Sequence, residues 1–280
     1  MNNNKVTLNE NSLYEAARKC ASNALNTWIK NYKKKYRNND AETKTFNHFD
    51  VLFPNERRIH AFMQSGLTSF GKTFWEPLAY KLASKNGFEV LEPNEFNKNV
   101  PLIPSELKSY QQEVRGEIEL GSIKIKEAVN LIQDFIRSKN IQSHERTKCE
   151  SGKGIDFWFK KNNIDLIGDI KSPQENIGNG KKLIEHILIW STYRLLDDPS
   201  IEVDAVIAFP YNPYKDFEQY MKQQGSKFPL LKHGEDILIA DHLWDRLSGV
   251  ENSTEIIFDA LRSVSKSDEV QSMKDFFYSK

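Results

Sequence analysis

The sequence predicts an α/β protein with a mixed central sheet flanked by helices. Three observations carry that prediction. Amphipathic stretches of helical period occur on both sides of residue 90. A strand–turn–strand signal lies at 154–171, and an almost wholly apolar run of strand length, Val-Asp-Ala-Val-Ile-Ala-Phe, follows at 203–209. The order helix, strand, hairpin, helix, strand mixes antiparallel and parallel pairing in one sheet.

Taken in order, residues 12–36 have helical spacing, with Leu13, Ala16, Ala17, Cys20, Ala24 and Trp28 on one side. That helix runs into a basic cluster, Lys30, Lys33, Lys34, Lys35 and Arg37, which fits either a solvated helix end or a phosphate contact. A second helix is expected over 73–85, on Phe74, Leu78 and Leu82, with Gly87 as its C-cap and a short strand at 88–91. Residues 93–104 read as loop, and helices follow at 105–117 and 124–139. After the hairpin, a helix is expected over 183–196, ended by Asp197-Asp198-Pro199. Beyond the apolar strand come an amphipathic helix, a short strand at 236–240 and C-terminal helices.

Composition excludes several classes. The chain has 280 residues, 39% hydrophobic, which is too apolar for a disordered segment. No apolar run approaches the roughly 20 residues that span a bilayer, and the start, Met-Asn-Asn-Asn-Lys, lacks the apolar core of a signal peptide. The expectation is a cytoplasmic protein without a membrane partner. Lys plus Arg and Asp plus Glu number 39 each, so net charge neither favours nor excludes nucleic acid. Two cysteines, Cys20 and Cys149, are too few for a disulfide scaffold or a four-ligand zinc site.

The chemistry concentrates in the hairpin. If its turn centres on Asn162-Asn163, opposed residues have numbers summing to 325, and Asp156 faces Asp169. Lys171 shares that face, two residues beyond Asp169. The other face holds Ile155, Phe157, Phe159, Ile164, Leu166 and Ile170 and is expected to be the core. Directly opposed carboxylates repel by about 0.2–1 kcal/mol, and a divalent cation between them relieves the repulsion. Hard oxygen ligands on a pair of strands suit Mg²⁺, which keeps several waters. A lysine beside the metal orients the attacking water and offsets charge on a phosphorane. The pattern matches metal-assisted phosphodiester hydrolysis. Asp165, on the same face toward the hairpin tip, is expected to be solvated, and Glu185 and His186 on the following helix to lie at the surface.

Asp156 followed by Asp169-Ile170-Lys171 resembles the D…(D/E)xK signature of the PD-(D/E)XK nucleases. The likeness continues through Lys171 to Lys181, Tyr193 to Pro199, Ala208 to Tyr214 and, upstream, Leu67 to Glu76. Over residues 55–215 the chain resembles the TdeIII/MjaII-type type II restriction endonucleases, with Gly154-Ile155 where the motif's name has proline. The resemblance implies a restriction-endonuclease-like core and one nuclease domain over 1–280. Residues 1–54 would be a helical N-terminal extension, 55–215 the catalytic core with a helical insertion at 93–150, and 216–280 a C-terminal helical region.

It also implies roles. Asp156 and Asp169, with the Ile170 carbonyl, would hold Mg²⁺, and Lys171 would position the water. Glu76 would complete the acidic cluster, although its spacing from Thr73 equally fits a capping box. Ser172, Gln174, Asn176, Asn179, Lys181 and Lys182 form a polar, glycine-containing connection that would contact double-stranded DNA; an ordinary connecting loop explains the same residues. The implied activity is sequence-specific cleavage by a homodimer, at a short interrupted palindrome of the GGNCC kind. The competing readings are a structure-specific repair or junction-resolving nuclease and a non-catalytic DNA-binding protein.

Overall fold

The computed structural model describes residues 8–36, 54–173, 180–225 and 230–278. Along the chain run α1 (Glu10–Tyr36), α2 (Pro54–Phe70), a π-helical turn (Gly71–Trp75), α3 (Glu76–Lys85), β1 (Glu89–Leu91), α4 (Pro93–Lys98), β2 (Val100–Pro101), α5 (Ser105–Glu119) and α6 (Ile125–Ser138). Then follow β3 (Arg146–Thr147), β4 (Phe157–Lys161), β5 (Ile164–Ile170), α7 (Gly180–Asp197), β6 (Glu202–Phe209), α8 (Phe217–Gln224), β7 (Ile237–Ile239), α9 (Asp241–Ser248), α10 (Ser253–Val264) and α11 (Asp268–Tyr278). The expected fold class is the observed one: a five-stranded mixed sheet in the order β1-β4-β5-β6-β7, antiparallel from β1 to β5 and parallel from β5 to β7.

Residues 93–104 are not loop throughout: Pro93 opens the short helix α4, where its fixed φ and missing N–H cost nothing, and β2 pairs with β3 in a separate two-stranded sheet. The helix expected from residue 73 is longer than its periodicity suggests. It continues from α2 through the π turn, where the Glu76 N–H bonds the Gly71 carbonyl. It ends where read, at Gly87, whose φ of +79° is cheap only for glycine.

Packing divides the chain into two compact units, 83–251 and 8–82 with 252–280 among the described residues. In the second, α1 buries Leu13, Ala16, Ala17, Cys20 and Ala24 as its spacing predicts, and lies against α10, which buries Ile257, Ala260 and Val264. In the first, both faces of the sheet are covered. Phe157, Phe159 and Leu166 are buried on one side, as expected. On the other, Ile167, Ile207 and Phe209 join a core with Leu183, Ile187 and Trp190 of α7 and with α5 and α6, where Tyr110 stacks on Phe135 at 4.1 Å between ring centroids. The face that carries the aspartates is therefore also packed.

That packing overturns one reading. Asp165 is not solvated: it is fully buried under α7, paired with Arg194 Nε at 2.7 Å and accepting from Trp158 Nε1 at 3.0 Å. A buried carboxylate needs such partners, and Arg194 lies 29 residues away in sequence, beyond the reach of local patterning.

Candidate active site

The hairpin has the register its turn chemistry predicts. Phe157 opposes Gly168, Trp158 Ile167, Phe159 Leu166, Lys160 Asp165 and Lys161 Ile164. Asn162 and Asn163 both take positive φ, 52° and 64°, the conformation a two-residue turn of primed type needs and asparagine tolerates. The regular ladder stops at Phe157, and Asp156 lies one step beyond. There its N–H donates to the Gly168 carbonyl at 2.8 Å, and its Oδ2 accepts from the Ile170 N–H at 2.9 Å. Asp156 thus turns its carboxylate onto the backbone beside Asp169.

Asp169 stands near the carboxyl end of β5, its side chain 14% exposed, with Lys171 Nζ 2.5 Å from its Oδ2. The Lys171 N–H bonds the Ala208 carbonyl at 2.9 Å, so β6 holds the strand straight through the lysine. The repulsion expected between the two aspartates is offset, because one faces a backbone donor and the other an ammonium. Gly168, between them, is required by space. A Cβ there would lie 2.3 Å from the Val206 carbonyl oxygen and 2.6 Å from the Phe157 ring.

Asp156, Asp169 and the backbone around Ile170 form a hard-oxygen donor set next to a lysine, at the carboxyl end of a strand where open α/β sheets tend to place ligands. Two carboxylates suit Mg²⁺, which fills the rest of its shell with water. Among the described residues, no group of three or more His, Cys, Asp or Glu side chains is arranged to hold a metal. Glu76 belongs to the other compact unit. The alternative explanation for it, a capping box, is not formed: Thr73 is inside a continuous helix, and its hydroxyl donates to the Ser69 carbonyl at 2.8 Å.

Of the polar connection, Ser172 is exposed at the strand's end, and Lys181 and Lys182 are exposed in the first turn of α7. Lys181 is engaged, 3.0 Å from Glu119. Gln174, Asn176 and Asn179 lie outside the described residues. Farther on, Tyr214 belongs to an ordinary turn, its N–H bonded to Asn212 Oδ1 at 2.9 Å. Burial pushes the Cys149 thiol up to about 11, which removes it as a nucleophile at neutral pH.

Two residues read as surface are not simply so. Glu185 bridges Lys153 at 2.6 Å and Arg115 at 2.8 Å, which hold its carboxyl below the usual range. His186 is half-buried against Trp190, ring centroids 5.5 Å apart.

The mixed sheet thus carries the Asp…Asp-x-Lys hairpin at the carboxyl end of β5. The sequence profile of the type II restriction endonuclease family HinfI matches residues 15–265, and the chain belongs to that family. It is also similar to the type II restriction enzyme MjaII of Methanocaldococcus jannaschii, 25% identical over 163 residues. That stretch takes in 52% of this chain and 44% of MjaII, so the chain spans less than half the length of this relative. The likeness to MjaII-type enzymes read from the motifs is thus matched by an alignment. Among the described residues no helix is long and apolar enough to cross a membrane.

Proposed function

We propose that this chain cuts both strands of double-stranded DNA at a specific sequence, using Mg²⁺, as a homodimer in the cytoplasm. The observation that carries the reading is the hairpin, which puts Asp156, Asp169 and Lys171 together at one end of β5. Asp156 and Asp169, with the Ile170 carbonyl, hold the metal. When bound, Mg²⁺ supplies positive charge that polarises the scissile phosphate and acidifies a bound water. Lys171 orients that water and offsets negative charge on the phosphorane oxygens. Ser172, Gln174, Asn176, Asn179, Lys181 and Lys182 contact the DNA, the lysines through phosphates and the amides through base edges. A two-fold dimer reads a palindrome most simply, and the proposed target is a short interrupted palindrome of the GGNCC kind.

The test is digestion of plasmid DNA of known sequence with protein and Mg²⁺, Ca²⁺ or excess EDTA. Discrete bands with Mg²⁺, none with Ca²⁺ and none in EDTA are expected. Cutting of branched substrates alone would make the protein a junction-resolving nuclease, and full cleavage in EDTA would end the metal assignment. Lys171→Ala should lower cleavage by about 10²–10³-fold, the cost of removing one preorganised charge donor. Specific DNA binding should stay within about tenfold, since one charge is a small part of the phosphate contacts.

A further inference from the structure

His186 has a place in the site that its sequence context does not announce. Strands β5 and β6 are parallel, so the connecting helix α7 runs back along the sheet, antiparallel to β5. One contact fixes its register: Arg194 lies on Asp165. His186 stands eight residues earlier on α7, about 12 Å back at about 1.5 Å per residue. Asp169 stands four residues later on β5, about 13 Å along at about 3.3 Å per residue. Positions eight apart share a helix's inward stripe, so the contact that seats Arg194 on Asp165 brings His186 to the level of Asp169 and Lys171.

The surroundings of the imidazole agree. Burial and then the Lys171 ammonium lower its pKa, Asp169 and Glu185 oppose them, and Lys153 adds to the lowering. Its Nδ1 is buried and has no hydrogen-bond partner. The Lys171 ammonium has three donors, of which Asp169 takes one. Lysine's flexible stem lets the ammonium swing between neighbouring acceptors.

We propose that His186 is a positioning residue whose Nδ1 accepts from Lys171 Nζ, so that the ammonium bridges Asp169 and the imidazole. The role rests on the reading of Lys171 given above. It matters most when a cation on Asp169 competes for the carboxylate, because His186 then keeps the ammonium at the site.

The experiment has two arms. In metal-free protein, ¹⁵N spectra of the histidine side chains should show Nδ1 of His186 unprotonated, and Lys171→Ala should move that resonance while the other histidines stay in place. In cleavage assays, His186→Phe keeps a ring against Trp190 without the acceptor and should lower kcat at least tenfold with KM for DNA unchanged. His186→Asn, which restores an oxygen near Nδ1, should recover most of the loss. An Nδ1 resonance indifferent to Lys171→Ala would overturn the proposal, as would wild-type kcat in His186→Phe or a fall matched by weaker DNA binding. If the wild-type protein cuts no DNA, the proposed function fails, while the spectra still decide the contact.

Discussion

Asp165 and Asp169 occupy the same face of β5, four residues apart, and each is paired with a cation. At Asp165 the cation is Arg194, also nearly buried, with the Trp158 indole N–H as a further donor and the Arg194 guanidinium 4.7 Å from the Trp158 ring centroid. At Asp169 it is Lys171, on the next residue but one, and both side chains keep some contact with solvent. The first pair is closed over by α7 and held from several sides. The second lies where the sheet opens at its carboxyl end, with the compact, mobile ammonium of lysine in place of a fixed planar fork. One strand thus carries a fully buried carboxylate and a partly exposed one, and neighbours brought by the fold, not residue type, separate them.

The sharpest break in that comparison is expected at the structural end. Asp165→Asn leaves the buried Arg194 charge without its counter-ion and should cost about 3–5 kcal/mol of stability in denaturant titrations. Replacing both partners with apolar residues, Asp165→Leu with Arg194→Met, should recover most of that loss, since a buried ion pair and a packed apolar pair are often of similar stability. If Asp165→Asn costs less than 1 kcal/mol, the distinction between the two ends of β5 collapses.

Gly168 tests the boundary between them. Its Cβ would meet the Val206 carbonyl, a backbone atom that cannot swing away. Gly168→Ala should cost about 1–3 kcal/mol through overpacking, and by displacing β5 from β6 it should also slow cleavage in the folded fraction. Wild-type melting and cleavage would mean that the β5–β6 approach does not fix the site.

The smallest effect is expected at the exposed start of α7. Lys181→Ala breaks a surface pair with Glu119 and should change stability by less than about 1 kcal/mol. It should weaken DNA binding evenly across sequences, with the salt dependence of log K falling by about one unit of slope, as for one lost phosphate contact. A large stability loss would make Lys181 structural.

What the sequence made legible follows the same division. The register of the hairpin could be read from Asn162-Asn163 and the alternation of Phe157 and Phe159 with Asp156, because turn geometry and side-chain period are local. The same arithmetic puts Asp169 and Lys171 on one face, while Asp156 lies at a bend one step beyond the ladder and reaches β5 through the Ile170 N–H. The burial of Asp165 was out of reach, since its partner arrives on a helix 29 residues later. His186 was missed for a related reason: its position depends on the direction of α7 and on the Arg194 contact, and a lone histidine on an amphipathic helix carries no mark of either. Thr73 and Glu76 have the spacing of a capping box, yet the helix runs on through a π turn, so no helix start exists there to cap.

The most direct measurement on the central claim is Asp169→Asn, assayed for cleavage with Mg²⁺ and melted without metal beside the wild type. Asp169 gives up a partly exposed pair with Lys171, so stability should change by no more than about 1 kcal/mol in either direction. Cleavage should fall by at least about 10³-fold, as metal-assisted hydrolysis loses a ligand. A stable, inactive protein is the predicted result. A strongly destabilised variant, or one that still cuts at the wild-type rate, would contradict the assignment of Asp169 to the chemistry.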